Sequence, residues 1–322
     1  MMINRIYYQL KPFIPRSLQI VLRRGLVLGK RKLNNHIWPI DERAGAKPDE
    51  WTGWPDQKKF AFVLMHDVDT ERGQRNCREL MRLDEDMGFR SLFNFVPERY
   101  SVSPELRDDL VTRGFEVGVH GLKHDGKLFL SRDIWLQNAD RINRYLHEWK
   151  SVGFVSPSMH RNLGWMHDLK IEYDASTFDT DPFEPQPAGI TTIFPFMVHG
   201  NNGQRGYIEL PYTLSQDFTL FILMGEKNID IWKQKLDWIA EKGGMALVIT
   251  HPDYMNFRND QCNIDEYPVG YYKDLLDYVK SKYEGQYWHA LPRDVACFWR
   301  EQAKKENKNN TVNQYLRPER DR

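Results

Sequence analysis

Hydrophobic residues along the chain alternate between two rhythms. Short apolar runs bounded by glycine or polar residues predict buried strands at 60–65, 91–96, 115–119, 153–155, 172–176, 207–210, 245–250 and 287–290. Between several of them, apolar positions recur at helical spacing and predict amphipathic helices over 72–87, 104–113, 132–149, 229–241 and 270–281. Gly88, Gly114, Gly153 and the pair Gly243-Gly244 stand where those helices should end, as C-terminal caps do. Strands alternating with helices imply a parallel sheet, and about seven such units predict an α/β fold, a distorted (β/α)7-type barrel in a single main domain. The stretch 177–206 breaks the rhythm with Pro182, Pro185, Pro187 and Pro195 and is expected as a long loop over the barrel mouth. The implied organisation is a basic amphipathic extension over 1–50, the barrel over 51–300 and a polar, frayed tail over 301–322.

Two polar islands interrupt the apolar pattern at strand ends, where α/β enzymes carry their chemistry: His66-Asp67-Val68-Asp69 and His120-Gly121-Leu122-Lys123-His124. Two imidazoles and a carboxylate can hold a catalytic metal with positions left open, which points to metal-assisted hydrolysis. If residues 120–124 form one helical turn, the two histidines point the same way with Cβ atoms about 6 Å apart. The bland alternative makes them hydrogen-bonded loop residues, with Asp67 and Asp69 capping a helix that starts near Thr70. The same ligand types also serve non-haem iron oxygenases, but those are built on β-sandwiches and the rhythm here is βα. A third apolar run, Leu247-Val248-Ile249-Thr250, ends in His251.

Composition bounds the rest. Of the 322 residues 41% are apolar, enough for one large core, and the net charge is zero. That zero conceals an uneven distribution: residues 1–40 hold eight Lys/Arg and no Asp/Glu, while 41–300 hold 31 against 41. In the head, Leu18, Ile20, Val21, Leu22, Leu26 and Val27 interleave with Arg16, Arg23, Arg24, Lys30, Arg31 and Lys32. This predicts an amphipathic basic helix after Pro15, suited to an anionic membrane face or a partner protein, or else to ordinary packing on the barrel. Cys77, Cys262 and Cys297 are scattered, which argues against a disulfide framework or a thiolate metal site. No leader pattern and no run of eighteen apolar residues occurs, so a cytoplasmic location, peripheral at the membrane, is expected.

Taken in order, the two islands, Ser156-Pro157-Ser158 and His251 make the chain resemble the polysaccharide deacetylases, carbohydrate esterase family four, from about Phe60 to His289. The resemblance implies that Asp67 is the catalytic base, that Asp69, His120 and His124 hold a divalent metal, and that His251 is the general acid. Zn²⁺ is the expected ion, with Co²⁺, Ni²⁺ or Fe²⁺ also suited to the set. Asp174 or Asp179 would orient the acid, Ser158 would offer an N–H to the oxyanion, and Val155 stands where the family has an arginine. Arg161 is the residue expected to swing in as its substitute. The implied reaction removes an N-acetyl group from an amino sugar, in a polysaccharide or in its nucleotide- or lipid-linked precursor for surface-polysaccharide assembly. Water activated by the metal would be the nucleophile. Trp54, Trp165, Phe178, Phe183 and Tyr212 are expected near the mouth, where a sugar ring could stack. Two alternatives remain: a non-catalytic carbohydrate-binding or scaffold module, motivated by Val155, and an amidase for a small non-sugar C–N substrate. No nucleic-acid partner is expected.

Overall fold

The structure, a computed structural model, describes residues 15–49, 51–200, 205–258 and 261–315, with side chains to residue 303. Its strands are β1 (Phe60–Val68), β2 (Leu92–Phe95), β3 (Glu116–His120), β4 (Gly153–Val155), β5 (Tyr173–Asp174), β6 (Phe196–Val198), β7 (Tyr207–Glu209), β8 (Met245–Thr250), β9 (Met255–Asn256), β10 (Tyr267–Pro268) and β11 (Tyr287–His289). The helices are α1 (Arg16–Leu33), α2 (Glu71–Asp86), α3 (Pro104–Thr112), α4 (Arg132–Glu148), α5 (Asp230–Lys242), α6 (Gly270–Tyr283) and α7 (Pro292–Tyr315).

β1 is the centre of the sheet. Every one of its residues is buried, as in a parallel strand covered on both faces. On one edge it pairs with β8 from Ala61↔Met245 to His66↔Thr250. On the other it pairs first with β11 and then, from Met65↔Leu92 to Val68↔Phe95, with β2. Parallel pairing continues through β2, β3, β4, β5 and β7, while β6 joins β7 antiparallel. Single bridges Phe178↔Tyr212 and Leu214↔Val248 link the segment after β7 to β8. The seven parallel strands β1, β2, β3, β4, β5, β7 and β8 form the distorted (β/α)7-type barrel that the sequence pattern predicts.

Hydroxyl caps start the helices. Thr70, Ser103 and Ser131 each accept a hydrogen bond from a backbone N–H in the first turn of α2, α3 and α4. Gly88, Gly114 and Gly243 end helices at φ +83°, +83° and +81°, conformations that cost a glycine nothing. Gly153 is not such a cap. The left-handed residue after α4 is Lys150, and Gly153 lies inside β4, where a Cβ would meet the Tyr173 ring at 2.0 Å.

Three stretches depart from the sequence pattern. Of the stretch 177–206, Gln186 and Ala188 stay at the mouth against Arg161, and the chain then runs down the barrel wall to the start of β8. There the Ile193 N–H donates to the Ala44 carbonyl and the Met245 N–H donates to the Ile193 carbonyl, which pins the loop beside the N-terminal end of the strand. The polar tail continues the helix begun at Pro292 as far as Tyr315, since neither glycine nor proline interrupts the chain before Pro318. Apolar Phe218–Met224 forms a π-helix that periodicity did not indicate. The expected basic helix forms as α1 and lies against that π-helix, Arg24 Nε donating to the Ile222 carbonyl at 2.8 Å; residues 1–14 fall outside the described residues.

Candidate metal centre

The C-terminal ends of β1 and β3 bring the two islands together. One ligand atom each from Asp69, His120 and His124 lies within 4.8 Å of the others, a group able to hold a metal ion. His120 Nε2 is 3.5 Å and His124 Nε2 is 3.1 Å from Asp69 Oδ1. His120 is the last residue of β3, and the chain beyond it does not form the helical turn expected. Gly121 at φ +61° and His124 at φ +53° curl the loop instead, so that the two imidazole rings stand 5.4 Å apart. A Cβ on Gly121 would strike the Pro157 ring at 2.4 Å, so this position rejects a side chain twice over.

The donor set fits a cation. His120 Nδ1 lies 3.1 Å from the Val155 carbonyl, which can only accept, so Nδ1 carries the proton and Nε2 presents a lone pair. That lone pair faces Asp69 Oδ1, itself buried with no hydrogen-bond partner in good geometry. Lone pairs converging in a dry site repel each other unless a positive charge sits between them. Burial opposes both charged forms, yet His124 and His120 hold the Asp69 pKa well below the carboxylate range, while Asp67 and Asp69 raise that of His120.

Asp67 lies two residues before Asp69, inside β1, its Oδ2 3.8 Å from His120 Nδ1. Its companion is one that sequence reasoning missed. Asn94 on β2, register partner of Asp67, donates Nδ2 to Asp67 Oδ1 at 2.8 Å. The next position across the sheet is Gly118 on β3, where a Cβ would come within 2.0 Å of Asn94 Oδ1. The glycine therefore makes room for the asparagine.

Val155 is buried in β4, and Arg161 does not take the place of the expected arginine. Its guanidinium donates to the Met159, Gln186 and Ala188 carbonyls and lies 4.8 Å from the Phe178 ring, tied to the loop. Ser158 sits at φ +55° in the turn after β4.

His251 stands at the end of β8. Its backbone N–H donates to Asp217 Oδ2 and its Nδ1 to Asp217 Oδ1, both at 2.7 Å. Tyr267 Oη also donates to Asp217 Oδ2 at 2.9 Å. Burial lowers the His251 pKa, but Asp217, backed by Asp69 and Asp67, pushes it up to about 10. Asp217 is thus the carboxylate that orients this ring, and neither expected acid does so. Asp174 on β5 accepts from Ser176 Oγ at 2.6 Å and pairs in register with Glu209 of β7; burial raises it to about 6. Asp179 forms a buried ion pair with Lys235 of α5 at 2.5 Å. Nothing near Asp217 in sequence marks it, because its partner lies 34 residues further along the chain.

The expected sugar-stacking aromatics are largely packing. Trp54 sits among Trp51, Trp288, Phe298 and Trp299 and donates to the Gly243 carbonyl, away from the site. Phe178 and Tyr212 are buried against each other, Trp165 packs on Phe129 and Trp135, and Phe183 meets the edge of Trp38. A cavity of about 210 Å³ opens beside His124, lined by the 122–130 loop, Ile134, Asn138, Pro157 and His160.

No protein-family model and no curated protein matches the chain by sequence. Solved structures do. A Mycobacterium smegmatis protein assigned as a polysaccharide deacetylase superposes with a TM-score of 0.62 at 17% identity, covering 80% of this chain and 96% of its own. A Pseudomonas aeruginosa PAO1 protein assigned likewise gives 0.62 at 16%, covering 82% and 98%. The Puue allantoinase gives 0.62 at 15%, covering 81% and 97%. At such identities the likeness is one of architecture: the chain has the fold of the polysaccharide deacetylases.

Proposed function

We propose that the chain is a metal-dependent hydrolase of C–N bonds that removes an N-acetyl group from an amino sugar, in a polysaccharide or in a nucleotide- or lipid-linked precursor. The observation that carries this reading is the convergence of Asp69 Oδ1, His120 Nε2 and His124 Nε2 beside Asp67 and a carboxylate-held His251.

A divalent ion at these ligands, Zn²⁺ by preference among Zn²⁺, Co²⁺, Ni²⁺ and Fe²⁺, would acidify water and polarise an acyl oxygen. Asp67, kept in place by Asn94, accepts the proton of the attacking water as the new C–O bond forms. The Ser158 backbone N–H is the donor assigned to the developing oxyanion. His251, its Nδ1 engaged by Asp217, delivers a proton from Nε2 to the departing nitrogen as the C–N bond breaks. The products are acetate and a free amine.

The fold of an allantoinase matches equally well, which favours a second reading: hydrolysis of a small amide or ureide. One experiment separates them. The protein loaded with Zn²⁺ or Co²⁺ is assayed for acetate release from N-acetylated oligosaccharides and nucleotide-linked N-acetyl sugars, and for turnover of allantoin. Metal content is measured in parallel for wild type, Asp69→Ala and His124→Ala. Acetate release with metal lost from both variants supports the proposal; full metal stoichiometry in both variants overturns the ligand assignment. Bound sugar without turnover would leave a binding module.

A further inference from the structure

We propose that α1 seats this protein on an anionic lipid surface through the face it turns away from the barrel. The helix turns its leucines outward, with Arg24 and Arg31 on the barrel side and Arg16, Lys30 and Lys32 exposed along the flanks of the stripe. Arg16 donates to Tyr254 Oη at 3.3 Å, Arg23 lies 4.8 Å over the Phe218 ring, Lys30 donates to the Pro182 carbonyl at 3.0 Å and Arg31 pairs with Glu226 at 2.5 Å. On that inner side only Gln19, Ile20 and Val27 are buried.

Leu18, Leu22, Leu26 and Leu33 follow one another at steps that keep them on one side of the helix, with Val21 and Leu28 beside them. They are 48%, 54%, 70% and 76% exposed, and Val21 and Leu28 53% and 46%. Gly25 and Gly29 lie within the stripe, with open space where a Cβ would stand. A continuous apolar face of this kind on a helix implies a covering partner.

Charge decides which partner. Residues 15–40 carry six Lys/Arg and no Asp/Glu, and among the described contacts of those six the one ion pair to a carboxylate is that of Arg31. A second copy docked on the stripe would bring six more cations against these. An acidic lipid surface meets the exposed Arg16, Lys30 and Lys32 with opposite charge while its acyl boundary receives the leucines. No helix among the described residues is long and apolar enough to cross a membrane, so the helix lies on the surface. The seat faces the active side of the barrel: Arg16 reaches Tyr254, whose ring centroid is 5.3 Å from that of His251.

The test is co-sedimentation of the full chain with phosphatidylcholine vesicles, with and without phosphatidylglycerol, at low and at high salt, beside the Leu22→Asp/Leu26→Asp and Leu18→Ser/Val21→Ser variants. Circular dichroism confirms folding, and light scattering gives the oligomeric state. Wild type should pellet with the acidic vesicles, at least tenfold less with neutral ones or at high salt, and both folded variants should stay in the supernatant. No pelleting of folded wild type, or equal pelleting of the folded variants, overturns the proposal. So does a dimer that the substitutions dissolve without any vesicle binding, since the second copy would then be the occupant. Vesicle binding requires no turnover, so this result stands apart from the hydrolase assay.

Discussion

His66 and Thr250 face each other in register across β1 and β8, His66 Nδ1 lying 2.8 Å from Thr250 Oγ1. Each is the residue before a member of the candidate site, Asp67 and His251, so this bond ties the two strand ends at the level where the acid–base pair leaves the sheet. Behind it, His66 Nε2 lies 3.0 Å from Asp84 Oδ2, which also accepts from Ser91 Oγ, while Asp84 Oδ1 accepts from Tyr272 Oη. All of it is buried.

Asp84→Ala leaves three buried hydrogen-bonding groups without their acceptor. Breaking such a network by removing its carboxylate costs about 3–5 kcal/mol. The expected outcome is a large fall in the denaturation midpoint in urea with an unchanged slope. A loss below about 1 kcal/mol would show that the network adds little.

Asn94→Ala removes the donor to Asp67 without touching the ligands at Asp69, His120 and His124. Metal content should stay at wild type while kcat falls about 10–100-fold. Gly118→Ala should do the same from the next strand, because its new Cβ displaces the Asn94 amide. Unchanged kcat in both would remove Asn94 from the mechanism.

Asp217→Asn keeps the shape of the partner to His251 and deletes its charge. In the metal-free protein the His251 ring should titrate near 10 in wild type, and about 1–3 pH units lower in the variant, read by NMR. A general acid works protonated, so turnover falls as pH rises through this pKa. The alkaline limb of kcat/KM should therefore move to lower pH in Asp217→Asn. An identical limb would assign the acid elsewhere.

Asp253→Ala takes away the acceptor of the Asp69 backbone N–H, held at 2.9 Å, and of the Thr70 hydroxyl. Asp69 would lose the contact that aims its carboxylate, and affinity for Co²⁺ or Zn²⁺ should drop about 10–100-fold by titration. Asp253→Asn, which keeps an acceptor for the N–H, should recover part of it. Gly73→Ala should resemble Asp253→Ala, because a Cβ there would lie 2.1 Å from Asp253 Oδ2.

Much of this protein was legible from the order of its residues. Apolar runs such as Leu247–Ile249 marked strands that must be buried, and glycines at 88, 114 and 243 marked helix ends, since each depends on neighbours a few positions away. Asp67, Asp69, His120, His124 and His251 stood out because each is a polar residue at or just beyond the end of such a run.

The partners of those side chains were decided elsewhere. Asn94 meets Asp67 through the register of β1 on β2, Asp217 meets His251 through the π-helix beside β8, and the later part of the loop at 177–206 runs along the wall because Ile193 hydrogen-bonds to Ala44 and Met245. Which face α1 turns inward was likewise set by the carbonyls and rings waiting for its arginines. Local rhythm specifies elements because it needs only adjacent residues; contacts between distant elements exist only once packing has chosen a register, and no spacing along the chain encodes that choice.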